Sequence, residues 1–163
     1  RIAILEGLSP KENRSIPHLR YEDVYRLKEE LPELEIEING GIKNLAAALD
    51  HLQRVDAVMI GRAAYDTPFV LAEADSSILG EPQRLLSRRE VVEGMYEYIN
   101  RVQEVGYHPR SVIRHMLGLF AGQPGSRRWK QRLSGPLPDE IPGSRILENA
   151  LAGVPAEVLD SVA

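Results

Sequence analysis

The sequence contains no cysteine, which excludes disulfides, thiolate metal sites and cysteine nucleophiles from this chain. It has little aromatic content, with one Trp and two Phe among 163 residues. It also lacks any long hydrophobic run: stretches such as Ala57-Val58-Met59-Ile60 are far too short to span a bilayer, and the residues after Arg1 have no secretory pattern. A 43% hydrophobic and 27% charged composition excludes disordered, collagen-like and coiled-coil classes. One further absence is local. Residues 105–138 hold no Asp or Glu, yet they carry Arg110, Arg114, Arg127, Arg128, Lys130 and Arg132. The chain as a whole is acidic, at a formal −4, so a basic segment sits inside a protein whose net charge conceals it.

What is present falls into two patterns. In residues 21–31, Val24, Leu27 and Leu31 recur at helical spacing, and Pro32 ends the run. Residues 34–39 alternate strictly, with Ile36 and Ile38 on one face and Glu35, Glu37 and Asn39 on the other, which is strand periodicity. Residues 45–52 are strong helix formers. Residues 55–60 read as a parallel strand buried on both faces. This helix, strand, helix, strand order predicts parallel βα units. Residues 66–87 lose periodicity around Pro68, Gly80 and Pro82 and read as a domain linker. Beyond it the pattern is all helical, over 88–105, 109–120, 126–133, 144–151 and 155–162, as in a small bundle.

Three regions could carry chemistry. The turns Asn39-Gly40-Gly41 and Gly61-Arg62 each follow a strand and precede a helix. Glycine there lets backbone N–H groups approach a phosphate, ideally at a helix N-terminus, and Arg62 adds a cation. The loop Gly7-Leu8-Ser9-Pro10-Lys11-Glu12-Asn13-Arg14 is polar and holds two cations, and on its residue types alone it reads as solvated. In the basic segment, Arg110 and Arg114 are spaced i,i+4 and Arg127 and Lys130 i,i+3. These make a footprint for a phosphodiester backbone, with Trp129 either a core anchor or a stacking platform. His18, His51, His108 and His115 have no metal-ligand spacing, and no catalytic triad or carboxylate pair stands out.

Those same residues carry a resemblance. The 7–14 loop, Ile38-Asn39-Gly40-Gly41-Ile42, the run from Val58 to Tyr65, the run from Val112 to Phe120, and Gly122-Gln123-Pro124-Gly125 are similar to the C-terminal half of A-type tRNA-dihydrouridine synthases, from Arg1 to about Gly135. The resemblance implies an α/β portion followed by an all-α portion. The first would be the last two strands of an FMN-binding TIM (β/α)8 barrel over residues 1–80, and the second a helical tRNA-binding domain over 81–163. It implies NADPH as reductant of FMN, reduction of D-loop uridines (20 and 20a) in tRNA, and a cytoplasmic protein without a membrane. It further implies that Asn39, Gly40, Gly41, Gly61 and Arg62 hold the FMN phosphate. Lys11, Arg14, Arg127 and Lys130 would contact tRNA.

The family's general acid is a cysteine in an earlier barrel loop, and this chain has none. The chain is therefore expected to be a truncated synthase, inactive alone and weak in FMN binding. A missing half-barrel, or self-association, would cover its strand edges. The alternative is a stand-alone RNA-binding module with a structural barrel remnant.

Overall fold

A computed structural model describes residues 18–138 and 140–162; Lys11 and Arg14 lie outside them. The chain divides into two compact units, Arg1–Gly61 and Arg62–Ala163.

In the first unit, α1 (Tyr21–Glu30) opens with Glu22 and Asp23 and closes with Lys28, charges that complement the helix dipole at each end. Strand β1 (Glu37–Asn39), helix α2 (Leu45–Leu52) and strand β2 (Ala57–Met59) form a βαβ unit in which the strands pair in parallel. The alternation in β1 is realised: Ile38 is buried, and Glu37 and Asn39 are exposed. Its core joins Tyr25, Ile38, Ile42, Ala48 and Val55. The second strand departs from expectation. Met59 is 46% exposed, and among the described residues β2 pairs only with β1.

The connection from α1 into the sheet is held by one hub. Lys28 Nζ donates to the carbonyls of Pro32 and Leu34 at 2.8 and 2.7 Å and pairs with Asp56 Oδ2 at 2.8 Å. The same carboxylate oxygen accepts the Ile36 N–H at 2.8 Å. The Lys28 bond, then the Ile36 amide, hold the Asp56 carboxyl below its ordinary range. A carboxyl with a depressed folded pKa contributes stability above its unfolded value, about 4, and loses it as pH falls through the folded value. Asp160, bonded by Arg89, and Glu90, bonded by Ser87, shift the same way. Thermal melts should therefore show Tm falling between neutral pH and pH 3, with Asp56→Asn starting lower and falling less. Parallel Tm-against-pH curves for the two proteins would refute the role of Asp56.

The second unit begins with α3 (Arg62–Asp66), a 3-10 turn at Pro68–Leu71, and α4 (Ala74–Leu79), stopped by Gly80 at φ 70°. The stretch expected to be aperiodic thus holds short helical turns up to Leu79, too short to show periodicity, and no helix or strand from Gly80 to Leu86. Helix α5 (Arg88–Glu93) starts in a reciprocal capping box between Ser87 and Glu90. The helix expected over 88–105 breaks at Gly94-Met95, where the Met95 N–H tightens onto Val92, and resumes as α6 (Tyr96–Glu104). The helix expected over 109–120 shortens to α7 (Arg110–Ile113) and continues as i→i−3 turns through Ala121. The chain packs closely there: a Cβ on Gly118 would stand 2.3 Å from the Asp66 carbonyl oxygen.

Helices α8 (Ser126–Ser134), α9 (Gly143–Leu151) and α10 (Ala156–Leu159) complete the unit. An antiparallel bridge from Ser87 to Val162 ties its end to the start of α5. The core gathers Val92, Ile99, Ile113, Phe120, Trp129, Leu133 and Leu147, all 0–1% exposed. No helix among the described residues is long and apolar enough to cross a membrane.

Candidate phosphate and nucleic-acid interface

The first cluster is built by strand register. Asn39 pairs with Met59 at the carboxyl ends of two parallel strands. The chain therefore leaves both strands at the same edge of the sheet, and the Gly40-Gly41 and Gly61 turns share that edge. Gly40 and Gly41 have φ of 122° and 70°, a region that L side chains avoid. The inner side of this turn is filled: a Cβ on Gly40 would stand 2.9 Å from Leu19 Cδ2, and one on Gly41 would stand 2.8 Å from Leu19 Cδ1 and 3.0 Å from the Tyr21 hydroxyl. Gly61 is different. Its φ is not positive, it is exposed, and among the described residues no atom lies within 4 Å of where its Cβ would be. Neither backbone conformation nor a described neighbour calls for glycine there, and among the described residues the space is open. This fits a phosphate lying close against main chain.

Helix ends contribute less to this edge than the sequence suggests. Helix α2 begins at Leu45, and its first turn is already capped by Asn44, whose Oδ1 accepts the Ala47 N–H at 2.8 Å. Helix α3 has five residues. The turns, rather than helix ends, are what this edge offers an anion. Arg62, exposed, follows Gly61 directly in the chain as the first residue of α3.

The second cluster lies on α8. Trp129 and Leu133, 0% and 1% exposed, face the core at i,i+4 and turn Arg127 and Lys130 outward, both exposed. Trp129 is a core anchor and not a stacking platform: its Nε1 donates to the Met116 carbonyl at 3.2 Å, and its ring meets Phe120 edge-on at 4.8 Å. The other cations divide. Arg110 donates to the Gly135 carbonyl at 2.7 Å, Arg132 donates to the Asn149 carbonyl, and Arg114 Nε donates to His115 Nε2 at 2.9 Å. Arg127, Arg128 and Lys130 have no acidic partner among the described residues.

Residues 2–138 match the family model described as dihydrouridine synthase (Dus). The chain belongs to the dihydrouridine synthase family. It is 45% identical over 158 residues to the tRNA-dihydrouridine(20/20a) synthase of Vibrio vulnificus, covering 97% of this chain and 48% of that protein. It is 50% identical over 151 residues to the Pseudomonas aeruginosa synthase of the same name, covering 93% and 46%. The Pseudomonas syringae protein is 52% identical over 134 residues, covering 82% and 40%. The chain thus spans about half the length of the curated relatives it matches. Dihydrouridine synthases are TIM-barrel enzymes, and a parallel βαβ unit is a piece such a barrel contains.

Sequence reasoning passed over several residues that this dihydrouridine synthase chain places beside the turns. Tyr21 donates its hydroxyl to the Gly40 carbonyl at 2.5 Å. Its ring meets His51 edge-on at 4.6 Å, and His51 Nδ1 pairs with the Tyr25 hydroxyl at 2.5 Å. Burial raises the Tyr25 hydroxyl above its ordinary range, keeping it protonated. In the second unit, Tyr65 pairs with His115 Nδ1 at 3.0 Å. Two of the histidines left without a role are thus anchors for tyrosines. The only hint in sequence was His51 on the apolar stripe of α2.

Proposed function

We propose that this chain is the part of a tRNA-dihydrouridine(20/20a) synthase that holds the phosphate end of FMN and grips tRNA. The reading rests on family membership together with one geometric observation, that the Gly40-Gly41 and Gly61 turns leave adjacent parallel strands at one edge. Phosphate oxygens would accept from the main-chain N–H groups of these turns and from the exposed Asn39 side chain, with Arg62 supplying positive charge. Bound there, FMN supplies hydride-transfer chemistry, with NADPH as its reductant and a D-loop uridine of tRNA as acceptor. Arg127 and Lys130 would neutralise tRNA phosphates from the helical portion, and Lys11 and Arg14 would do so from the barrel rim. Residues 1–80 would be barrel and 81–163 the tRNA-binding domain, acting in the cytoplasm. The unpaired strand edges would meet a half-barrel or another copy of the chain.

The general acid of such a reaction, a cysteine in the family, has no counterpart among these 163 residues. The chain alone should therefore bind unmodified tRNA but form no dihydrouridine when given FMN, NADPH and transcript tRNA. Detectable dihydrouridine by mass spectrometry of digested tRNA would overturn the inactivity. Failure to retard tRNA in a gel at low salt would overturn the grip. The stand-alone RNA-binding reading is less favoured, since the likeness to named synthases extends through the sheet as well as the helices.

A further inference from the structure

Peptide geometry sets which way the glycine turn presents its donors. The C=O of Gly40 and the N–H of Gly41 belong to one trans peptide group and point in opposite directions. Tyr21 holds that C=O, and Leu19 and Tyr21 fill the same side of the turn. The Gly41 N–H must then face away from them. With two consecutive glycines at positive φ, nothing in the local chain would otherwise prevent this peptide from flipping, since glycine populates both hands of φ readily.

We propose that Tyr21 is a positioning residue for phosphate: its bond to the Gly40 carbonyl locks the 40–41 peptide so that the Gly41 N–H faces the strand edge. The Tyr21 ring also packs edge-on against His51 at 4.6 Å, a contact that does not involve its hydroxyl. This rests on the phosphate reading above and adds to it the residue that orients the donor. The logic is preorganisation: a donor already aimed does not have to be ordered when the anion arrives.

The test is NMR of the 15N-labelled 163-residue chain, which detects weak binding. FMN, and separately inorganic phosphate, are titrated while the Gly40, Gly41 and Gly61 amide resonances are followed. In the wild type the Gly41 amide should shift on titration. Tyr21→Phe keeps the ring on His51 and removes only the donor, and it should weaken FMN binding by about tenfold, the value of one oriented hydrogen bond. Tyr25→Phe, which leaves the Tyr21 hydroxyl in place, serves as the stability control and should bind within about twofold of wild type. Amide exchange in β1 and β2 reports whether each variant is folded.

Tyr21→Phe binding within twofold of wild type, while Gly61→Val abolishes the response, would overturn the role of Tyr21 and leave the phosphate reading standing. Equal losses in Tyr21→Phe and Tyr25→Phe would reduce Tyr21 to a packing residue and also overturn it. If neither titrant moves any of the three glycine amides in the wild type, the phosphate reading fails and takes this inference with it.

Discussion

Trp129→Ala should destabilise the helical unit by about 3–5 kcal/mol, the range for deleting a large buried aromatic. Domains are typically stable by about 5–15 kcal/mol, so the loss is a large fraction of the whole. Trp129 is fully buried and sits among Phe120, Leu133, Leu147 and Ile113 in the larger core. Two effects contribute unequally. The lost indole N–H bond leaves the Met116 carbonyl with a second donor, the Leu119 N–H at 3.1 Å, so no buried acceptor is orphaned. The cavity therefore dominates, and the edge-on contact with Phe120 goes with it. Trp129→Phe keeps most of the apolar volume and should cost about 1–2 kcal/mol. Circular-dichroism melts distinguish the two; tryptophan fluorescence cannot follow either variant, because Trp129 is the one tryptophan in the chain. Equal melting of Trp129→Ala and wild type would mean that the indole is not in the core.

The elements most legible in sequence were those with a local cause. The strict alternation around Ile36 and Ile38 fixed a strand because its period is set by the pleat, and a glycine after each strand marked a turn wherever the fold placed it. The observed strands are shorter than the patterns, since ladder hydrogen bonds end where the partner ends. Helix lengths failed where distant groups intervened. The turns after Ile113 include Gly118, which packs against Asp66, 52 positions away and invisible to periodicity. Tyr21 reaches Gly40 across 19 positions, and its hydroxyl looks like any other aromatic hydroxyl on an amphipathic helix. Trp129 is the instructive intermediate. Its neighbours in sequence are cations, which left core anchor and stacking platform both open; the burial of Trp129 together with Leu133, four positions on, decides for the core.

Reversing both outward cations of α8, Arg127→Glu with Lys130→Glu, should weaken tRNA binding about a hundredfold at low salt while leaving the fold intact. Electrostatics and helix stability pull in opposite directions at this site. The first turn of α8 carries Arg127 and Arg128, with no acidic residue and no side-chain cap from Gly125. Cations at a helix N-terminus oppose the positive end of the dipole, so this turn is arranged against its own helix. A glutamate at 127 would favour the helix, and any loss of binding could not then be ascribed to unfolding. Arg110 and Arg132, by contrast, donate to the carbonyls of Gly135 and Asn149, and substituting them would mix structural and binding effects. The variant changes the local charge of these two positions from +2 to −2. Each phosphate contact contributes about 0.9 to the slope of log affinity against log salt, so the magnitude of that slope should fall by about two. Fluorescence anisotropy with labelled transcript tRNA between 50 and 200 mM salt measures both quantities, a range over which phosphate contacts give large changes. An unchanged slope would show that these side chains do not meet the phosphate backbone, even if the affinity had dropped.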